Sequence, residues 1–371
     1  LALLLAWPQP AQAQVGFRDH PSATYFAAFG DFYDGDYRTA AGNFRAEVRG
    51  ARKIVQARWI DSICYYAMLG ECFYQMGQLP QAMDAYNSAL QVYLANANWM
   101  MQVNFAQALK PGQSANISPW GVSTRQAVVP IYSPTLSITV GAFNANQVVQ
   151  QGGVLGQPQI MPINAREIVR CTALAIRRRR ELLGVACEHD PLTKKLVSTL
   201  AARPGQRNNL SEAWIDVQLG LAHACENKIP QAMLTLQRGV VAMGQFDHPL
   251  TCVALLELGR LTLEAGDFPG AAALFAEASY SAAQFGDYGV LEEAFRYGLQ
   301  AHLRANAAGV YPPLLRATAW ANSQNLRQLK ASLLVLTAEN LAQLGETDRA
   351  GVALTQARAT MARRNMLLGR L

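Results

Sequence analysis

Charge is scarce in this 371-residue chain: Asp, Glu, Lys and Arg together make up 16%, against about 25% in an ordinary globular protein. The balance is equally thin, a net +6, which is too small for the concentrated basic face of a nucleic-acid binder. Histidine is rare. His20, His189, His223, His248 and His302 are scattered, and no two stand at metal-ligand spacing. No C-x-x-C occurs, so no zinc site is expected. There is no G-x-S-x-G elbow, no phosphate-binding loop and no dinucleotide fingerprint, and Gln151-Gly152-Gly153-Val154-Leu155-Gly156 is a poor substitute for one. With no catalytic set, the chain reads as a non-enzyme that needs no cofactor or metal. No stretch reaches about 18 uninterrupted apolar residues, so no transmembrane span is expected.

What is present is apolar residue, at 51%, enough to build a folded protein. The length exceeds one compact core and points to several domains or to one elongated array. The N-terminal run Leu1-Ala2-Leu3-Leu4-Leu5-Ala6-Trp7 is followed by Pro8, Pro10 and the small-residue site Ala11-Gln12-Ala13. That is the pattern of the back half of a secretory signal peptide, with cleavage expected near Gln14. It predicts an exported protein, in the periplasm or cell envelope.

Six cysteines remain to be placed: Cys64, Cys72, Cys171, Cys187, Cys225 and Cys252. Cys64 and Cys72 fall on one expected helix, roughly 12 Å apart at about 1.5 Å per residue, beyond disulfide reach. Most are expected to be small buried hydrophobes. A long-range disulfide such as Cys187 with Cys225 stays open in an oxidising compartment.

The strongest signal is internal repetition. Tyr66-x-x-Leu69-Gly70-x-x-Phe73, then Gly77, then Ala82-x-x-x-Tyr86-x-x-Ala89 reads as two helices that cross closely at Gly70 and Ala82, with Pro80 in the first turn of the second. Leu219-Gly220 with Ala232-x-x-x-Leu236 and Pro230 repeats it, as do Leu258-Gly259 with Ala271-x-x-x-Phe275 and Pro269. Leu341, Gly345 and Ala350-x-x-x-Leu354-x-x-Ala357 make a later copy. Gly35-Asp36-Tyr37-x-x-Ala40-x-x-x-Phe44 keeps the second half of one, and Leu291 to Ala319 is degenerate, with Tyr311-Pro312-Pro313 in place of the turn. The pattern resembles the tetratricopeptide (TPR) repeat. The spacing is longer than that family's usual period of about 34: Ala40 to Ala82 is 42 and Ala232 to Ala271 is 39. The resemblance implies an all-α helical-repeat solenoid, a right-handed superhelix, carrying a small β-containing insertion.

Five segments follow. Residues 1–13 are the signal-peptide remnant. Residues 14–115 hold N-terminal repeats, with Met100 to Leu109 continuing a helix. Residues 116–163 are a Pro- and Gly-rich insertion with a β-hairpin, in which Leu136-Ser137-Ile138-Thr139-Val140 alternates as a strand does and Val128-Val129 and Ile131-Tyr132 suggest its partner. Residues 164–210 are connecting helices, capped by Asn164 and by Asp190 ahead of Pro191. Residues 211–371 hold the C-terminal repeats.

Arg177-Arg178-Arg179-Arg180 is the densest charge cluster. Successive helical residues are about 100° apart, so four in a row cannot face one ligand; a solvated helix face beside Glu181 is expected. By resemblance, the first helix of each repeat lines a concave groove. On those helices Glu71, Tyr74, Gln75, Trp214, Arg260, Glu264, Glu339 and Gln343 are the candidate contact residues. The expected role is a non-catalytic scaffold or adaptor for a protein or peptide partner. The alternative is a small-molecule or glycan module with the insertion as a lid, Trp99, Trp120, Tyr132 and Phe143 supplying apolar contact.

Overall fold

A computed structural model describes residues 19–54, 57–105, 109–112, 118–131, 133–140, 159–203 and 205–361. The expected signal segment, Tyr132, Phe143 and the 151–156 glycine run lie outside the described residues. Within them are fourteen α-helices, which follow one another along the chain as seven consecutive pairs. They are α1 (Ala23–Tyr33) with α2 (Tyr37–Gly50), α3 (Ser62–Gln75) with α4 (Leu79–Ala95), and α5 (Ala165–Leu183) with α6 (Pro191–Ala201). Next come α7 (Leu210–Cys225) with α8 (Ile229–Gly239) and α9 (Thr251–Glu264) with α10 (Phe268–Phe285). The last are α11 (Tyr288–Arg304) with α12 (Pro313–Ser323) and α13 (Arg327–Gln343) with α14 (Thr347–Thr360). The protein is an all-α, TPR-like helical-repeat solenoid with a small β insertion.

Local chemistry makes the pairs. Gly77 at φ +73°, Gly266 at φ +87° and Asn227 at φ +57° take the left-handed conformation that ends the first helix; Asn325 at φ +54° ends α12 in the same way. Pro80, Pro230 and Pro269 then sit in the first turn of the second helix, where no N–H is missed. At the crossing, a Cβ on Gly70 would meet the Tyr86 ring at 2.7 Å. One on Gly220 would meet Leu236 at 2.6 Å, and one on Gly259 the Phe275 ring at 2.6 Å. The large residue of the second helix therefore fills the space the glycine leaves on the first.

Stacking builds two layers. Each second helix packs on the next pair's first helix, and the first helices α3, α5, α7, α9, α11 and α13 follow one another along the inside. α5 and α6 meet mainly through the 3₁₀ turn between them, Gly184–His189; α5 packs on α3, α4 and α7, and α6 on α4 and α7. One apolar core runs from Tyr25 to Leu336, with a small satellite under the last pair. The two ends of the array meet: α1 touches α13, Tyr33 sits edge-on to Tyr288 at 5.2 Å, and Asp34 faces Arg327 at 3.8 Å.

The insertion departs from expectation. After α4 the chain makes a 3₁₀ turn at Trp99–Gln102 and then a strand, so the helix expected to run through Leu109 does not exist over Met100 to Phe105. A small pair, β1 (Lys53–Ile54) with β2 (Ala57–Arg58), lies earlier in the chain. The later strands are β3 (Val103–Asn104), β4 (Lys110–Pro111), β5 (Pro130–Ile131), β6 (Leu136–Val140) and β7 (Gln159–Ile163). The alternating run is β6, as its pattern predicts. Its partners are β3 and β7, both antiparallel, while β5 pairs with β4. The reason is burial. Ile138, Met161 and Ile163 together seal the core, whereas Val128 is bound through its backbone to Gln245 and Asp247.

Candidate functional site

The first helices enclose a recess of about 1150 Å³ counted to its open mouth, of which about 100 Å³ can take the centre of a water-sized atom. The smaller figure sets the guest: one side chain or a few waters. Phe29, Phe32 and Tyr33 come from α1, Met68, Glu71, Tyr74 and Gln75 from α3, and Arg170, Leu174, Arg177 and Arg178 from α5. Glu292, Glu293 and Arg296 come from α11, and Gln328 and Leu329 from α13. Rings and paired charges interleave along this wall, with Arg178 over the Tyr74 ring and Arg170 over the Phe29 ring.

The charges are those of the arginine run, and here the expected solvated face is overturned. Arg177, Arg178 and Arg179 are 3%, 5% and 3% exposed. Successive side chains point about 100° apart, but α5 is surrounded, so the run is spread over several partners, with Arg177 and Arg178 sharing Glu293. Arg177 pairs with Glu293 at 2.5 Å. Arg178 holds Glu71 at 2.8 Å, Glu181 at 2.8 Å and Glu293 at 3.1 Å, and lies 4.4 Å from the centre of the Tyr74 ring. Arg179 binds Asp190 at 2.7 Å and Asn87 at 2.7 Å. Arg180 binds Glu257 and, more loosely, Glu264 at 3.9 Å. A cationic run in a helix buried on all sides is thus neutralised by acids from α3, α9 and α11 and from the turn before α6.

The electrostatics follow from this enclosure. Burial alone would raise the Glu71 carboxyl; Arg178 outweighs it, with Gln75 and Tyr86 donating hydrogen bonds, and Glu71 ends below the usual carboxylate range. Burial likewise opposes ionisation of Glu293, and Arg177 and then Arg178 pull it well down. Glu292 lacks so close a partner, and burial pushes its carboxyl up in spite of Arg296. The Glu71 and Glu293 carboxylates are therefore occupied by guanidinium groups, charge-assisted pairing that ties the inner helices together.

Of the eight candidate residues, the structure brings five together. Glu71, Tyr74 and Gln75 line the recess, and Arg260 and Glu264 lie beyond it around the far end of α5. Arg260 reaches Glu181 at 3.6 Å and Glu257 at 3.4 Å and stacks on the Tyr297 ring. Trp214 is not a groove residue. It is fully buried and packs on Phe105, because nearly every face of α7 is covered. Glu339 and Gln343 are exposed near the C-terminal end of α13, away from the recess, which α13 lines at its opposite end. Sequence reasoning missed Glu257, Glu292 and Glu293. A usable signal existed for the acids as a class: Glu71 is the lone charge in Ser62–Gln75, and an isolated acid on a helix of that composition calls for a cation.

Trp99 and Trp120 do not form a lid over the recess. Trp120 is clamped among Ser279, Phe295 and Trp320, donating to the Ser279 hydroxyl at 2.9 Å. Ser123 and Thr124 bind Glu277, so this part of the insertion straps α10 to α12. All six cysteines are buried thiols with no disulfide. Asn164 and Asp190 cap their helices, accepting from the Glu167 and Thr193 amides.

No family model and no curated protein matches the chain. Among solved structures it is similar to a Rap protein complexed with competence and sporulation factor, at TM-score 0.42 and 14% identity over 91% of this chain and 74% of that one. It is similar also to the Rap conjugation gene regulator of plasmid pLS20 in complex with the Phr* peptide, at TM-score 0.40 and 12% identity, covering 91% and 72%. A third is apo RapI, at 0.38 and 11%, covering 91% and 97%.

Proposed function

We propose that the protein is a non-catalytic scaffold that binds a peptide or an extended protein segment on its inner wall, anchoring one side chain of the guest in the recess. The observation that carries this reading is the recess itself: a side-chain-sized space between first helices, walled by aromatic rings and by charges already paired. Paired charges leave no net field, so the wall offers shape, ring faces and peptide hydrogen bonding in place of a strong preference for one sign. Tyr74, Gln75 and Glu71 would meet the anchor from α3, with Phe29 and Tyr33 opposite. We place this scaffold outside the cytoplasm on the strength of Leu1 to Ala13, and we take its long repeats to be a widened form of the TPR unit.

The test is peptide display on the immobilised protein, followed by affinity measurement of the enriched peptides against Leu174→Trp, which fills the recess, and against Glu339→Ala as an outlying control. At least a tenfold loss on filling, with the control unchanged, is expected. Peptides that bind Leu174→Trp as well as the parent, or no enrichment at all, would sink the proposal. Sequencing the N-terminus of the protein from its native host checks the compartment, with a start near Gln14 expected.

A further inference from the structure

The small positive charge of the chain is not spread evenly. Arg38, Arg45, Arg49, Arg52, Lys53 and Arg58 fall between residues 38 and 58 against a single acid, Glu47, a net +5 of the chain's +6. Glu47 is turned to the start of α1, where it accepts from the Ser22 and Thr24 hydroxyls. Arg38, Arg45, Arg49 and Lys53 are exposed, and among the described residues none of the six cations pairs with a carboxylate.

The fold gathers them on one face. Arg38, Arg45 and Arg49 stand seven and then four residues apart on α2. That spacing sets them in one solvent-facing row, about 16 Å long at about 1.5 Å per residue. The chain then turns into β1–β2, where Lys53 is the register partner of Arg58. Arg58 donates to the Val48 carbonyl, which brings its guanidinium to the end of α2 beside Arg49. The Trp59 amide donates to the Arg52 carbonyl at 3.0 Å and keeps Arg52 at the same hairpin. Arg45 lies over the Phe73 ring at 5.7 Å, Arg52 over Trp59 at 5.9 Å and Arg58 over Tyr66 at 5.8 Å, so three of the guanidinium planes rest on aromatic faces.

This arrangement opposes folding. Like charges directly opposite in a hairpin repel, and so do Arg45 and Arg49 one helical turn apart. The negative end of α2 compensates Arg49 and Arg58. It does nothing for Lys53, and Arg38 stands in the first turn of α2, where the helix dipole disfavours a cation. An anionic surface brought against the row relieves all of these terms together.

We propose that this ridge is where the protein docks on an anionic phospholipid surface. A row without walls cannot enclose a guest. It suits a ligand whose own charges are spread over a plane, and a bilayer carrying acidic headgroups is such a plane. Gly42 and Ala46, exposed between the arginines, are small, so contact is with the headgroups and nothing apolar is offered for insertion. The ridge belongs to α2, a second helix, whereas the recess opens among first helices, so a docked molecule keeps its inner wall accessible.

Flotation of the full chain with phosphatidylcholine vesicles holding about 30% phosphatidylglycerol, against phosphatidylcholine alone, is the test. Preference for the acidic vesicles, fading at high salt, is expected. Binding to pure phosphatidylcholine reports any segment outside the ridge and is subtracted. Arg38→Gln, Arg49→Gln and Lys53→Gln combined should weaken partitioning about a hundredfold, at roughly fivefold per charge. Lys194→Gln, Lys195→Gln and Arg207→Gln combined remove the same charge from exposed positions elsewhere, and should change it by no more than about threefold. Should the ridge variant lose its helical circular dichroism, Lys53→Gln alone, at about a fivefold loss, decides. Equal losses in the two triple variants would overturn the proposal, since binding would then follow net charge alone. So would indifference to the acidic lipid, or ridge-dependent binding to poly-glutamate or to a nucleic acid with none to vesicles.

Discussion

At the scale of the residue, His248 shows how burial turns a side chain into a pH liability. It is fully buried, its Nε2–H donates to the Gly239 carbonyl at 2.7 Å, and its Nδ1 accepts from the Leu250 amide at 3.2 Å. Both ring nitrogens are thus committed to the neutral form. Burial depresses the imidazole to about 4 from its ordinary 6.5, despite the Gly239 bond. The unfolded chain therefore takes up this proton first, and stability falls as pH drops from about 6.5 towards 4, by about 3 kcal/mol at full effect. Thermal midpoints measured across that range should fall less steeply in His248→Gln than in the parent. Arg178 gives the complementary case. Arg178→Met leaves Glu71 and Glu293 short of a counter-charge in the interior and should cost about 3–5 kcal/mol in denaturant unfolding. Arg349→Met, at an exposed pair, should cost no more than about 1 kcal/mol. Equal losses in the two variants would contradict the assigned role of the network.

At the scale of the element, the close crossing of first and second helices is the most constrained feature. Gly259→Ala forces a methyl into the Phe275 ring and is expected to lower stability by about 1–3 kcal/mol, while Gly351→Ala, which meets nothing within 4 Å, should be neutral or slightly stabilising. Circular dichroism melts of the two variants make the comparison. These crossings were also what the sequence shows most openly, because Gly70, Gly220 and Gly259, with their turns and prolines, repeat at fixed offsets. The strand Leu136–Val140 was legible for the same reason, period-two alternation. Its partners were not, since pairing depends on which apolar faces seal the core and nothing local encodes that. The inner wall was legible only in part. Tyr74 and Glu71 follow from helix phase, but Trp214 shares that phase and is covered on its other side by Phe105, a contact between distant segments. The arginine run misled for a similar reason: whether a charged helix is solvated is set by what surrounds it.

At the scale of the whole molecule, the solenoid is not merely a row of neighbours. A row of stacked repeats with nearest-neighbour contacts alone unfolds in stages. Here α5 reaches across the inside to α9 and α11, and α1 meets α13. Unfolding is therefore expected to be a single transition in which fluorescence and circular dichroism coincide. A chain ending before Glu257 should lose that cooperativity instead of melting as a smaller copy. Removing the seam with Tyr33→Ala and Tyr288→Ala should speed amide exchange in α1 more than in α7. The same wiring has a consequence in time. Arg180 and Glu257 are 77 residues apart and Arg177 and Glu293 are 116 apart. At a synthesis rate of about 5–20 residues per second, the two arginines wait on the order of 10 s for their acids to be made. Arg178 already has Glu71 behind it, so the nascent chain has a partial nucleus but cannot close. The order of the residues along the chain thus sets the moment at which the interior can shut.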